Sequence, residues 1–266
     1  MRVFATSDLH VDYEPNEKWV VAISRQDFRN DILVVAGDVS DSLDAVAMTL
    51  TALADRFRKV LYVPGNHELW VIRDPESKSS SEKLRDVLAV AESCGASTRP
   101  FHSRKLSIVP LLGWYDYSFG EPGRDLTAMW MDFRNCRWPH HFRAQEISSW
   151  LGSFNEPLPM IAHKKVISFS HFLPRIDLMP QYIPLHLRYL YPVLGSYALE
   201  RQLRRLGATL HVYGHSHVNR CVTLDGVSYI NNAFGYPSET RIAAKRLVCI
   251  YDEERPEPIC VDGVAL

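Results

Sequence analysis

The stretch Val60-Leu61-Tyr62-Val63-Pro64-Gly65-Asn66-His67-Glu68 decides how the chain is read. Its first four residues are apolar and mostly β-preferring, as in a buried strand. Pro64 and Gly65 stop that strand, because neither suits a sheet interior. Asn66 and His67 are thereby delivered to a loop at the strand's C-terminal end, the rim where open α/β sheets bind ligands. An amide oxygen can coordinate a metal, and an imidazole can ligate or carry a proton. A polar loop would explain this stretch taken alone. The same arrangement, however, recurs along the chain.

Residues 2–7 form a first expected strand and run into Asp8-Leu9-His10, where positions i and i+2 share one face of an extended chain. Residues 32–36 are wholly apolar, as in a strand buried on both faces, and end in Gly37-Asp38. Residues 165–170 end at His171, and 209–213 end in Gly214-His215-Ser216-His217. A further strand is expected at 106–112. Between the strands lie helical patterns. Residues 16–28 carry Trp19, Ile23 and Phe28 inward. Ser42 caps a run of Leu43, Val46, Leu50, Leu53 and Phe57 at steps of three and four. Ser79 and Glu82 form a capping box for a helix closed by Gly95. Residues 144–154 and a segment from Ser196 with Leu199, Leu203 and Leu206 complete the set. This alternation predicts a mainly parallel sheet. Beyond residue 217 the pattern changes to hairpins, with Asp225-Gly226 as a type I′ turn signal and further strands at 247–251 and 259–261. That change predicts a second, largely antiparallel layer.

No linker divides the 266 residues, so a single domain over 1–266 is expected. Hydrophobic content of 46% and charged content of 23% suit a globular core, and 30 Lys+Arg against 31 Asp+Glu leave a net charge of -1. That balance argues against bulk nucleic-acid binding. There is no signal-peptide h-region and no run of membrane-spanning length. Cys94, Cys136, Cys221, Cys249 and Cys260 never pair as Cys-x-x-Cys and read as reduced thiols in a cytoplasmic protein.

Five strand ends therefore carry nitrogen and oxygen ligands in order. Seven such groups are too many for one ion and suit two adjacent ones. The absence of cysteine among them favours divalent Mn²⁺ first, then Fe or Zn²⁺. Asp8-x-His10, Gly37-Asp38, Gly65-Asn66-His67-Glu68, His171 and Gly214-His215-Ser216-His217 together resemble the motif set of the calcineurin-like metallophosphoesterases, over residues 8 to 217. The resemblance implies an α/β fold, a β-sandwich of two mixed sheets flanked by helices (αββα), and phosphoester hydrolysis at a two-metal centre. It also implies that Asp8, His10 and His217 bind one metal, that Asn66, His171 and His215 bind the other, and that Asp38 bridges them. The two ions would lower a bridging water from a pKa of ~15.7 towards ~7 and yield the attacking hydroxide. His67 would stay off the metals as general acid, with Asn66 helping to stabilise the departing alkoxide.

One departure narrows the class. The Ser/Thr protein-phosphatase branch carries Gly-Asp-x-x-Asp-Arg-Gly, and here Asp38 and Asp41 match while Ser42 and Leu43 replace Arg and Gly. This argues against protein-phosphatase activity. Asp41 either orients His67 as its partner carboxylate or serves as an acid at a helix N-terminus. A metal-dependent nuclease of the same superfamily is the alternative, opposed by the charge balance.

Two loop insertions, residues 113–143 and 172–192, mix aromatic rings with arginines. Rings stack on planar groups and arginines pair with phosphate oxygens, so Trp114, Tyr115, Tyr117, Arg124 and Tyr182 are expected at the pocket. The same rings can instead form a satellite core. The substrate expected is a small organic phosphoester, not a folded phosphoprotein. His102, His140, His141, His163 and His186 carry no assignment, and His211 is expected to pack inside its strand.

Overall fold

The computed structural model describes all residues except 76–77, 159–160, 162–164, 256–259, 262–263 and 266, so His163 and Ile259 lie outside the description. The chain begins β1 (Arg2–Thr6), α1 (Glu14–Ala22), β2 (Ile32–Ala36), α2 (Leu43–Ala54), β3 (Lys59–Val63), α3 (Ser80–Ser93) and β4 (Ala96–Ser97). It continues through β5 (Phe101–His102), β6 (Leu106–Pro110), α4 (Arg124–Met129), α5 (Asp132–Asn135), α6 (Ala144–Ser153) and β7 (Lys165–Phe169). It closes with α7 (Tyr197–Arg205), β8 (Leu210–Tyr213), β9 (Arg220–Leu224), β10 (Val227–Asn231), β11 (Val248–Asp252) and a small hairpin, β12 (Cys260–Val261) and β13 (Val264–Ala265).

Local signals account for most boundaries. Ser42 accepts from the Ala45 N–H to start α2, and Ser79 with Glu82 forms a reciprocal capping box on α3. Asp225 and Gly226 both have positive φ, as the hairpin turn between β9 and β10 requires. The first helix is shorter than its pattern. It stops at Ala22, where the Arg56 guanidinium donates to the carbonyls of Val21 and Ile23. Those groups would otherwise have continued the helical ladder. Ile23 is still buried, and Trp19 and Phe28 pack partly buried against the same core.

The strands form two mixed sheets, β11-β1-β2-β3-β4 and β5-β6-β7-β8-β10-β9. In the first, β1 to β4 run parallel and β11 joins antiparallel to β1. In the second, β6, β7, β8 and β10 are parallel, with β5 and β9 antiparallel at the edges. The expected division is thus corrected: the second sheet is mainly parallel and is built as much from β6, β7 and β8 as from the hairpin. Strand pairing explains it, because β11 returns to β1 while β10 extends β8.

Alternation along each strand places the cores. Ile32, Val34 and Ala36 of β2 face Ile108, Ile167, Phe169 and Val212 across the space between the sheets. Leu33 and Val35 point outward onto Val46, Leu50, Val87 and Ala91 of α2 and α3. On the far side, Val109, Val166, Tyr213 and Tyr229 pack with Ile147, Leu151, Leu199 and Leu203 of α6 and α7. The result is the four-layer αββα arrangement.

The reduced-thiol expectation holds for Cys94, Cys136 and Cys249 and is corrected at Cys221, which is disulfide-bonded. Spacing in sequence cannot reveal such a bond, because chain topology brings the partners together. The cysteine content therefore gives no argument for the cytoplasm. Among the described residues, no helix is long and apolar enough to cross a membrane.

Candidate metal centre

Because β1, β2 and β3 in one sheet and β7 and β8 in the other end at the same rim, their C-terminal loops converge. Asp8, His10, Asp38, Asn66, His171, His215 and His217 all meet there, each buried. The backbone is unusual at five of them. Asp8 (φ 52), His10 (φ 42), Asp38 (φ 55), His215 (φ 66) and His217 (φ 53) occupy the left-handed region. Each such residue costs on the order of 1–3 kcal/mol and persists only where its surroundings impose it. Here the Asp8 and His10 N–H groups donate to the carbonyls of Gly37 and Asp38, and the His215 N–H donates to Asp8 Oδ1 at 2.9 Å. Gly65 is required by close approach: a Cβ there would lie 2.1 Å from Asp38 Oδ1.

Hydrogen bonds on the far side of each ring determine what faces the centre. His171 Nδ1 is 2.9 Å from the Ala36 carbonyl, and His215 Nε2 is 3.0 Å from the Val193 carbonyl. A carbonyl only accepts, so those nitrogens carry the protons. The remaining two, His171 Nε2 and His215 Nδ1, then present lone pairs to each other at 3.1 Å. Asn66 Oδ1 lies 3.1 Å and Asp38 Oδ1 3.4 Å from His171 Nε2. Burial pushes both imidazoles below their ordinary pKa, so a second ring proton is unfavourable. Four acceptors with no donor among them fit a cation. Borderline imidazoles with hard oxygens suit a divalent one.

The other group is Asp8, His10 and His217. His217 Nε2 lies 3.1 Å from His10 Nε2 and 3.2 Å from Asp8 Oδ1, and its Nδ1 bonds Glu239 Oε2 at 2.6 Å. Burial opposes charge on His217, yet Asp8 and Glu239 raise it to about 10. Asp8 in turn, despite burial, is held below the usual carboxylate range by His217. This corner therefore favours positive charge. Asp38 stands between the groups, its Oδ1 towards His171 and its Oδ2 3.9 Å from His10 Nε2. Burial, with Glu68 and Asp8 nearby, raises its pKa, which a cation on either side would reverse.

His67 stacks on Trp70 with ring centroids 3.8 Å apart, and its N–H donates to Asp38 Oδ1 at 3.1 Å. Its donor atom also falls within one cluster with His10 and Asp38. Burial, then repulsion from His171 and His217, pushes its pKa down to about 3. Asp41 does not serve it: that carboxylate pairs with Arg73 at 2.9 Å, just ahead of the α2 cap. The expectation that Asp41 orients His67 and favours its protonated form is corrected by this pairing, which leaves the helix N-terminal position as its place. Asn66 directs its NH₂ to Asp132 Oδ1 at 2.9 Å, which uses one of that group's two N–H donors.

A cavity of about 270 Å³ adjoins the centre, lined by Asn66, His67, Trp70, Trp130, Tyr189 and Tyr236 among others. The five expected substrate residues are elsewhere. Trp114 and Tyr115 are 1% and 2% exposed and pack with Phe172 in the core, and Tyr117 is half-buried against Tyr115. Arg124 is exposed at the start of α4, and Tyr182 is 72% exposed. Trp114, Tyr115 and Tyr117 instead border a separate cavity of about 500 Å³, which meets the first at Asp132, while their rings gain most of their burial from the core.

Sequence reasoning passed over several residues. Glu68, fully buried, accepts from the N–H groups of Gly65, Asp38 and Val39, and its place in the Asn-His-Glu run was the available signal. Tyr236 stacks on His10 at 4.5 Å, and Glu239 holds His217; no local pattern marks either.

A strained, buried set of imidazoles, carboxylates and an amide at the joint rim of two sheets defines a metal-dependent phosphoester hydrolase. The calcineurin-like phosphoesterase family model matches residues 1–219, and the chain belongs to that family. Among curated relatives, the acyl-carrier-protein phosphodiesterase PptH of Mycobacterium tuberculosis (strain ATCC 25618 / H37Rv) is 30% identical over 263 residues, covering 90% of this chain and 79% of its own. The solved structure of phosphopantetheinyl hydrolase (PptH) from Mycobacterium tuberculosis superposes with a TM-score of 0.71 at 25% identity, covering 90% of this chain and 91% of that one. The protein TT1561 of Thermus thermophilus shares the fold, with a TM-score of 0.51 at 16% identity over 87% and 89% of the two chains.

Proposed function

We propose that this chain is a phosphodiesterase acting on a phosphopantetheinyl-type diester, with two divalent cations, Mn²⁺ foremost. Asp8, His10 and His217 would hold one, Asn66, His171 and His215 the other, with Asp38 shared. The observation that carries the reading is the junction of two unlike surfaces: a cluster of bare acceptors and an apolar cavity meet at Asn66, with His67 beside it in the cavity wall.

Bound there, the cations would neutralise phosphoryl charge and acidify a water so that it can supply the nucleophile near neutral pH. The chain's own groups do the rest. The cavity's described lining holds no lysine or arginine, while Leu126, Met129, Met131 and Leu190 make it apolar. That suits a diester with one negative charge and an uncharged organic arm better than a monoester, whose charge is about −1.5 to −2. A cavity of about 270 Å³ is far too small for a folded protein, so a carrier protein would remain outside. His67, fixed by Trp70 and by Asp38, stands at the mouth and would protonate the departing oxygen. A phosphate anion beside the ring raises its pKa and couples protonation to substrate binding.

The test is turnover with Mn²⁺ on phosphopantetheinylated carrier protein, free phosphopantetheine, an aryl phosphodiester and an oligonucleotide. Diester hydrolysis that is abolished by a chelator and restored by Mn²⁺ is expected, with the carrier-borne diester preferred. Preference for the oligonucleotide would return the nuclease reading, and no phosphoester turnover at all would sink the proposal.

A further inference from the structure

Asp132 belongs to none of the strand-end motifs, yet it touches much of what surrounds the centre. It opens α5 within the first insertion and is 3% exposed. Its Oδ1 accepts from Asn66 Nδ2 at 2.9 Å and from Trp70 Nε1 at 2.7 Å, and its Oδ2 accepts from Trp130 Nε1 at 2.8 Å. Each donor belongs to a side chain facing the centre. Asn66 turns Oδ1 towards His171, Trp70 lies on His67, and Trp130 meets His215 edge-on with centroids 5.8 Å apart.

An amide has nearly the same shape when flipped, so packing alone does not choose which end of Asn66 faces the imidazoles. A carboxylate behind it does. Flipping would set Oδ1 against Asp132 and the NH₂ against the acceptors of the centre. The two Asp132 oxygens accept from three donors on Asn66, Trp70 and Trp130, as a carboxylate does.

We propose that Asp132 is a positioning residue through which the aromatic insertion holds the Asn66 oxygen as a ligand beside His171, His215 and Asp38. This rests on the two-cation reading and reaches beyond it, because the insertion then becomes part of the metal centre's support.

The experiment is Mn²⁺ titration of metal-stripped protein, with bound ion read by electron paramagnetic resonance and folding by circular dichroism. Wild type filling fewer than two sites would overturn the two-cation reading underneath. With two sites filled, Asp132→Asn should weaken one of them roughly 10–100-fold and leave the other unchanged, as loss of an outer-shell partner does. Asn66→Asp discriminates independently. Ligand chemistry alone predicts tighter binding from a carboxylate, whereas a carboxylate facing Asp132 should bind more weakly. Asn66→Asp combined with Asp132→Asn reverses donor and acceptor between the two residues, at the cost of the Trp70 bond to the same atom, and should recover part of the lost affinity. Wild-type affinities in Asp132→Asn, equal weakening of both sites, a tighter site in Asn66→Asp, or additive losses in the double variant would each overturn the proposal. Should Asp132→Asn not fold, Asn66→Asp and the double variant decide it.

Discussion

His67 is held by its backbone N–H on Asp38, by the Trp70 ring beneath it and by the edge of His10, with centroids 4.7 Å apart. Nothing in that arrangement commits its ring nitrogens to a carboxylate at hydrogen-bond distance; Asp38 Oδ2 is 3.7 Å from Nε2. The ring is therefore free to meet substrate. His67→Ala should lower kcat by roughly 10²–10⁴ on a diester with an alkyl leaving group, the usual worth of a general acid. With an aryl leaving group, which departs without a proton, the loss should be far smaller. Bound metal should be unchanged. Equal losses on both substrates together with one lost cation would instead make His67 a ligand, as its closeness to His10 and Asp38 permits.

The elements carrying Asp38 and Asn66 are tied together by a side chain from the 3₁₀ turn His67–Leu69. Glu68 takes three N–H groups, two from the loop after β2 and one from the loop after β3, at 2.6 to 3.1 Å. Glu68→Ala leaves those buried donors unpaired, each worth about 1–3 kcal/mol when unsatisfied. Thermal unfolding should register a loss of about 3 kcal/mol, and the left-handed Asp38 should lose its fixed position with it. A melting curve and Mn²⁺ affinity like wild type would show that water replaces the carboxylate. The same coupling between elements alters the expectation for the first insertion. With Asp132 bonded to Asn66, removing residues 113–143 would disturb the centre itself and not only substrate choice.

At the scale of the molecule, a buried histidine makes the fold sensitive to acid. His211 lies within the second sheet, fully buried, with Ser168 on Nδ1 at 2.8 Å and Ser170 on Nε2 at 3.1 Å. Ser170 donates to the Phe172 carbonyl, so it accepts from Nε2–H, and Ser168 donates to Nδ1. Both nitrogens are satisfied in the neutral ring, and burial pushes its pKa down to about 3. Above the unfolded value of about 6.5, neither state binds the proton and the contribution is complete. As pH falls from there towards 3, only the unfolded chain takes the proton and stability is lost. At about 1.4 kcal/mol per pH unit, roughly 2 kcal/mol should disappear by pH 5. Denaturant unfolding of wild type and His211→Phe checks this. The variant should be less stable at pH 7, and the gap should narrow by about that amount at pH 5. A gap that does not change with pH would mean that His211 titrates normally.

Strand ends, helix caps and the hairpin turn were legible in the order of residues because each is decided within a few positions. An apolar run followed by Gly37-Asp38 or Pro64-Gly65-Asn66 places a polar group at a rim whatever the rest of the chain does. Ser42, Ser79 and Asp225-Gly226 act on their immediate neighbours in the same way. Only the tertiary structure decided which strands share a sheet, since β11 beside β1 and β10 beside β8 are pairings across long separations. It also decided the direction of side chains in irregular segments, where no period of 2 or 3.6 constrains them. Trp114 and Tyr115 went to the core for that reason, while Asp132, Tyr236 and Glu239 came to the centre. Backbone hydrogen bonding is local enough to be written in short runs of residues. The second layer of a site is assembled from loops that meet only when the sheets have packed.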